Sequence, residues 1–241
     1  MADAMMLDRH LFALAEVAAK FATVDRATML ADGVAPESDT DHTVMLGLIA
    51  CELADRLGYE TAALNRGLIA AFALVHDLPE VYAGDANTLT ITPQERIEKE
   101  RREADAARRL AEQFGPRSWV INTLAAYESQ STPEARFVKL VDKMMPKFTH
   151  EMNRGAAFVA LGKTAAEIEA AHHVQISTLR NKYGKEFPAV IALIEATMER
   201  AVNVYRKALA RPVLPEVPDA SVASEGPGVE SGSSSDERVR E

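Results

Sequence analysis

Between Ala71 and Asp85 the chain reads AFALVHDLPEVYAGD. Ala71, Phe72, Ala73, Leu74 and Val75 have the character of a buried helix, yet His76 and Asp77 follow with no break. An ionised carboxylate carried into an apolar interior is costly unless a partner pairs with it. Any fold open to this chain must therefore bring a partner to Asp77, and a divalent metal ion is one such partner.

The rest of the sequence reads almost entirely as helix. Ala, Leu, Glu and Arg dominate, and few stretches alternate with the two-residue period of a strand. Apolar spacing and capping signals predict helices near 7–24, 41–57, 61–79, 93–114, 117–127, 133–153, 164–183 and 186–210. Breaks fall at 33–38, Gly58, 84–87, Gly115-Pro116, 129–133 and Gly184. The segment QERIEKERREADAARR, residues 94–109, is nearly all polar and is expected to be a solvated helix opened by Pro93. The fold class is all-α, a helical bundle. Residues 1–211 form the folded unit. Residues 212–241 are rich in Pro, Ser, Gly and Glu and lack aromatic residues, the composition of a disordered tail.

Three of the helices carry histidine or aspartate on an apolar stripe. From His42, steps of three, four, seven and eleven reach Met45, Leu46, Ile49 and Leu53. His76 follows Leu68, Ile69, Phe72 and Ala73 on one face. Asp142 has Val138 four residues before it and Met145 three after, and Pro146 is expected to disturb its helix. Glu80 lies four residues after His76 and can share its side. A lone inward histidine is more often a hydrogen-bonded core residue, and a lone helical aspartate more often a cap. Together these residues offer two imidazoles and two carboxylates, a donor set that suits Mn, Fe, Co, Ni or Zn.

Bulk properties narrow the function. A net charge of −9 argues against binding a nucleic acid duplex, but leaves room for a local basic pocket for a small phosphorylated ligand. The single cysteine, Cys51, can form no internal disulfide, in keeping with a reducing compartment. The opening residues lack the layout of a secretion signal, and no apolar run reaches the ~20 residues of a membrane helix. The expected location is the cytoplasm, with no membrane partner; self-association is left open.

The order His42, His76-Asp77, Glu80-Val81, Gly84-Asp85, Asp142 resembles the HD-domain metal-dependent phosphohydrolases, especially their bacterial 5′-deoxynucleotidase branch. The pattern His…HDxxEVxxGD…KxxD covers roughly residues 8 to 205 and extends to Thr88. The resemblance implies one divalent transition metal on His42, His76, Asp77 and Asp142. There it would acidify a water and draw charge from a phosphoryl group. Glu80 would be the acid/base, Arg26 the phosphate clamp, and Asp85 a contact to the sugar 3′-hydroxyl or an aid to proton transfer. The implied substrate is a (deoxy)nucleoside 5′-monophosphate. A nucleoside triphosphate triphosphohydrolase and a non-catalytic nucleotide-binding regulator remain alternatives. The chain departs from that branch at Ala27, where the relatives carry a tryptophan that selects against a ribose 2′-hydroxyl; the only tryptophan here is Trp119. Weaker deoxyribose selectivity is therefore expected. The remaining histidines, His10, His150, His172 and His173, read as surface or structural residues.

Overall fold

A computed structural model describes residues 2–58, 63–86 and 91–210. The tail expected at 212–241 and Thr88 lie outside them, as do the first residues of the helix expected at 61–79. The described chain is a helical bundle with one small hairpin. Its elements are α1 (Ala2–Phe21), β1 (Asp25–Met29), β2 (Pro36–Ser38), α2 (Asp39–Arg56), α3 (Arg66–Val75), α4 (Glu80–Ala83), α5 (Pro93–Phe114), α6 (Trp119–Glu128), α7 (Pro133–Met152), α8 (Ala156–Ala160), α9 (Ala165–Tyr183) and α10 (Pro188–Leu209).

Capping chemistry sets the helix starts. In α2, α5 and α9 a Ser or Thr N-cap accepts from the third helical N–H, while Asp41, Glu95 or Glu167 returns a bond to the cap. Pro93 occupies the first position of α5, and Gly115 ends it with φ of 74°. This polar helix buries only Ala106, Leu110 and Phe114.

α7 is the central element, packed against α2, α3, α6, α10 and β1. Its buried face carries Val138, Val141 and Met145, which join Leu46 of α2, Ile69 and Phe72 of α3 and Ile194 of α10 in the main core. A second cluster joins α1 to α5 and α6 through Phe21, Val75, Leu110 and Leu124. A third, smaller one holds Phe158 of α8 against Ile168, Val202 and Tyr205.

Three local features differ from the sequence expectation. Residues 25–38 form an antiparallel hairpin with an irregular register between Asp25↔Ser38 and Met29↔Pro36. Its strands are too short and too polar to show a period of two. The helix expected to reach residue 79 ends at Val75, and His76 is its C-cap. Pro146 leaves α7 uninterrupted, and the helix runs to Met152, close to the expected end at 153. A proline can be carried inside a helix when packing on both sides outweighs its lost bond, and here Met144, Met145 and Lys147 are all buried.

Gly155 opens α8 in the left-handed conformation, φ 80°, and a Cβ there would lie 3.1 Å from the Tyr205 backbone. Gly155→Ala combines a disfavoured φ with overpacking, so it should destabilise the fold by at least about 1 kcal/mol. A denaturant midpoint equal to wild type would contradict this reading.

Candidate metal centre

The hairpin, the α3–α4 turn and α7 converge on one polar cluster. Ser38 caps α2, which places His42 fully buried one turn in. His76 sits where α3 ends, and its Nδ1 donates to the Ala73 carbonyl at 2.8 Å. That bond makes Nδ1 a donor and turns Nε2 toward the cluster. Nε2 is buried and, among the described residues, has no hydrogen-bond partner.

The ligand-type atoms face one another. His42 Nε2 lies 3.2 Å from Asp142 Oδ1 and 3.9 Å from Asp77 Oδ2. His76 Nε2 lies 2.9 Å from Asp77 Oδ2 and 3.9 Å from Asp142 Oδ1. One atom from each of the four residues falls within 4.8 Å of every other. Bonds of about 2.0–2.2 Å would place neighbouring ligand atoms about 3.0–3.4 Å apart, a spacing these gaps bracket. The donors, the orphaned His76 Nε2 and the two carboxylates together fit a divalent cation.

Arg26 comes from β1 and is mostly buried. Its Nη1 donates to Asp39 at 2.9 Å and to Asp77 at 2.8 Å, and lies 3.6 Å from Glu80. Its Nε is 3.6 Å from Glu37. Burial opposes its charge, but Asp77, Asp85, Glu80 and Asp142 outweigh that and raise its pKa. Asp85 Oδ2 accepts the Ala27 N–H at 2.8 Å, which ties the loop after α4 to the hairpin. Arg26, Asp85 and Asp142 line one end of a cleft. Ala27 is exposed beside Arg26, while Trp119 lies on the outside of α6.

Glu80 is buried at the first position of α4. Burial, followed by the charges of Asp77 and Asp85, pushes its carboxyl up to about 10 despite Arg26 nearby. Lys99 reaches it from α5 at 3.4 Å, so the polar helix is not solvated on every side. For His42, burial works against protonation, but Asp142 and Glu37 hold the imidazolium up to about 9. Asp142 is held well below the usual carboxylate range: burial raises it, and Lys143, His42 and His76 overcome that.

All seven residues singled out in the sequence thus meet at this cluster or at its cleft. Four neighbours were not anticipated. Glu37 is fully buried, approaches His42 Nδ1 at 3.2 Å and accepts from Thr149 at 3.0 Å. Asp39, Lys99 and Lys143 complete the set, with Lys143 Nζ 2.9 Å from Asp142 Oδ2. Glu37 and Asp39 fall in a stretch that reads as a break, where only the acidic run before His42 hints at a site. His150 and His172 are both buried, which excludes a surface role for them.

A family model described as an HD domain matches residues 18–182. The chain belongs to the HD-domain family. It is 33% identical over 131 residues to a Schizosaccharomyces pombe protein named 5′-deoxynucleotidase hdd1, covering 50% of this chain and 61% of that protein. Over 114 residues it is 34% identical to the Danio rerio 5′-deoxynucleotidase HDDC2, covering 45% of this chain and 52% of that one. The matches thus span between half and two thirds of these curated relatives. A solved structure from Magnetospirillum magnetotacticum MS-1, described as a predicted metal-dependent phosphohydrolase, superposes with a TM-score of 0.65. It is 26% identical, and the match covers 82% of this chain and 93% of that one. Among the described residues, no helix of this HD-domain chain is long and apolar enough to cross a membrane.

A divalent ion at this cluster competes with the proton on His42, because ligation needs the neutral ring. The His42 pKa is raised above its ordinary value to about 9, so the ring carries a proton at pH 7.5 and loses it as pH rises past 9. Metal binding at pH 7.5 should therefore release about one proton or more per ion, and fewer at higher pH. Calorimetric titration in buffers of different ionisation enthalpy measures this. A binding enthalpy independent of buffer would contradict it.

Proposed function

We propose that this chain hydrolyses (deoxy)nucleoside 5′-monophosphates to nucleoside and orthophosphate, using one divalent ion held by His42, His76, Asp77 and Asp142. The observation that carries the reading is the convergence of that donor set with Arg26, Glu80 and Asp85 on a single cleft. The relatives named 5′-deoxynucleotidases support the substrate class. Residues 1–211 would form the catalytic unit and 212–241 an appended tail, in a protein of the cytoplasm.

Bound there, such an ion supplies Lewis-acid polarisation of a phosphoryl oxygen and favours ionisation of water. The chain's own groups supply the rest. Arg26 offers a planar guanidinium to the phosphate oxygens. Glu37, set against His42 Nδ1, orients that ring. Glu80, whose burial favours the protonated form, serves as the acid that protonates the leaving 5′-oxygen as the P–O bond breaks. Tyr127, fully buried with its ring 5.9 Å from that of His76, walls the inner side against bulk water. Asp85, fixed by the Ala27 N–H, stands where a sugar hydroxyl would meet the cleft. The methyl group of Ala27 gives a 2′-hydroxyl nothing to collide with, which favours weak discrimination between ribose and deoxyribose.

A regulator that binds nucleotide without turning it over would not need a buried, protonated acid beside the donor set. The decisive test is Glu80→Gln, which keeps the shape and removes the transferable proton. It should retain metal and lose about 10²–10⁴-fold in kcat for release of orthophosphate from a matched ribo- and deoxyribonucleoside 5′-monophosphate pair. Near wild-type kcat would remove Glu80 from the mechanism. Tripolyphosphate from a nucleoside triphosphate, with no orthophosphate from any monophosphate, would replace this reading with a triphosphohydrolase.

A further inference from the structure

The cleft that begins at Arg26 and Asp142 continues along α7 beyond the metal cluster. Lys147 lies five residues and His150 eight residues past Asp142, roughly 7.5 and 12 Å along the helix axis. Phe158 of α8 and His172 and Gln175 of α9 close the far side. None of these groups has a part in the reaction described above.

The far end holds an unusual set of unmet polar atoms. Lys147 is 3% exposed, and its Nζ donates to the Lys143 carbonyl at 2.8 Å and to Gln175 Oε1 at 2.6 Å. An ammonium has three N–H donors. Among the described residues, no carboxylate lies within ion-pair distance of it. Among the described residues, His172, 3% exposed, has no partner on either ring nitrogen, and His150, 7% exposed, has none on Nδ1. Buried polar atoms are paired in native proteins far more often than not, so orphans gathered in one cleft point to a missing partner.

The charge decides what that partner is. A cation would sit against Lys147 with no carboxylate to balance it, so a second metal is disfavoured although two imidazoles are present. An anion gives the ammonium its counter-charge and can accept from the third N–H and from a neutral imidazole N–H. Burial depresses both histidines to about 3 and Lys147 to about 7, with the neighbouring cations adding to the effect, as expected where a negative charge is wanting.

We propose that Lys147, His150 and His172 form a second anion subsite, which takes a phosphoryl group at the far end of the cleft from the metal cluster. The offset along α7 is closer to the span of a sugar than to a single P–O–P link. A nucleoside 3′,5′-bisphosphate could therefore bridge the two ends. Free orthophosphate, the product of the proposed reaction, is the other source of the same chemistry.

Calorimetric titration of inorganic phosphate into the Mn-loaded full chain should give two equivalents in wild type and one in Lys147→Met. His172→Leu serves as the second variant, so that the test survives if Lys147→Met fails to fold. The source is read from kcat/KM for a 3′,5′-bisphosphate divided by that for its 5′-monophosphate. This arm alone rests on the nucleotidase reading. A ratio of about 10 or more in wild type that falls toward one in Lys147→Met assigns the subsite to substrate. Two phosphate equivalents with a ratio near one assign it to free phosphate. Two equivalents with no turnover of any nucleotide leave the subsite standing and defeat the nucleotidase reading. One equivalent in wild type and variant alike, with the same ratio in both, overturns the proposal.

Discussion

The balance of buried charge is the constraint on which the site depends. Glu37, Asp39, Asp77, Glu80 and Asp142 are gathered around Arg26, Lys99 and Lys143, at separations of 2.8–3.6 Å. Lys99 also pairs with Glu103, so the carboxylates outnumber the cations and leave negative charge uncompensated when all are ionised. Isolated charges in a low-dielectric interior are strongly penalised, and removing one partner from such a group leaves its neighbours uncompensated. Protons answer part of the excess by settling on His42 and Glu80, whose affinities are raised. A single dication answers it more fully, and the four donor atoms are placed to receive one.

That requirement explains features of the fold that otherwise look incidental. The hairpin exists in a helical bundle because Arg26 and Glu37 must approach the cluster from outside α2, α3 and α7. α3 stops at Val75 so that His76 can turn a ring nitrogen inward while its other nitrogen bonds the Ala73 carbonyl. α5 is polar, yet it lends Lys99 to Glu80. α7 carries both a metal-type donor and the core, with Asp142 beside the fully buried Val141 and Met145.

The donors were legible in the sequence because they break apolar stripes. His42, His76 and Asp142 each sit where period-3.6 spacing demands a hydrophobic residue, and their burial cost marks them. Helix limits were legible where caps are strong, as at Pro93 and Gly115 of α5. The hairpin was not, since Asp25–Met29 and Pro36–Ser38 carry too few residues for alternation to register. Glu37 and Asp39 were hidden for the same reason, lying in a stretch that reads as a break. The burial of His150 and His172 depends on α8 folding over α7 against α9, a tertiary arrangement that no local spacing reports. Arg26 reads as a surface arginine until the hairpin turns it inward.

The central claim is that His42, His76, Asp77 and Asp142 bind one ion directly. Anomalous diffraction at the metal edge, from crystals of the full chain loaded with Mn or Co, tests it without reference to activity. A single peak at bonding distance, roughly 2.0–2.2 Å, from one atom of each of the four residues is the expected result. A peak among Asp39, Asp77 and Glu80, the other acidic grouping within reach, or no peak in the loaded crystals, would contradict it.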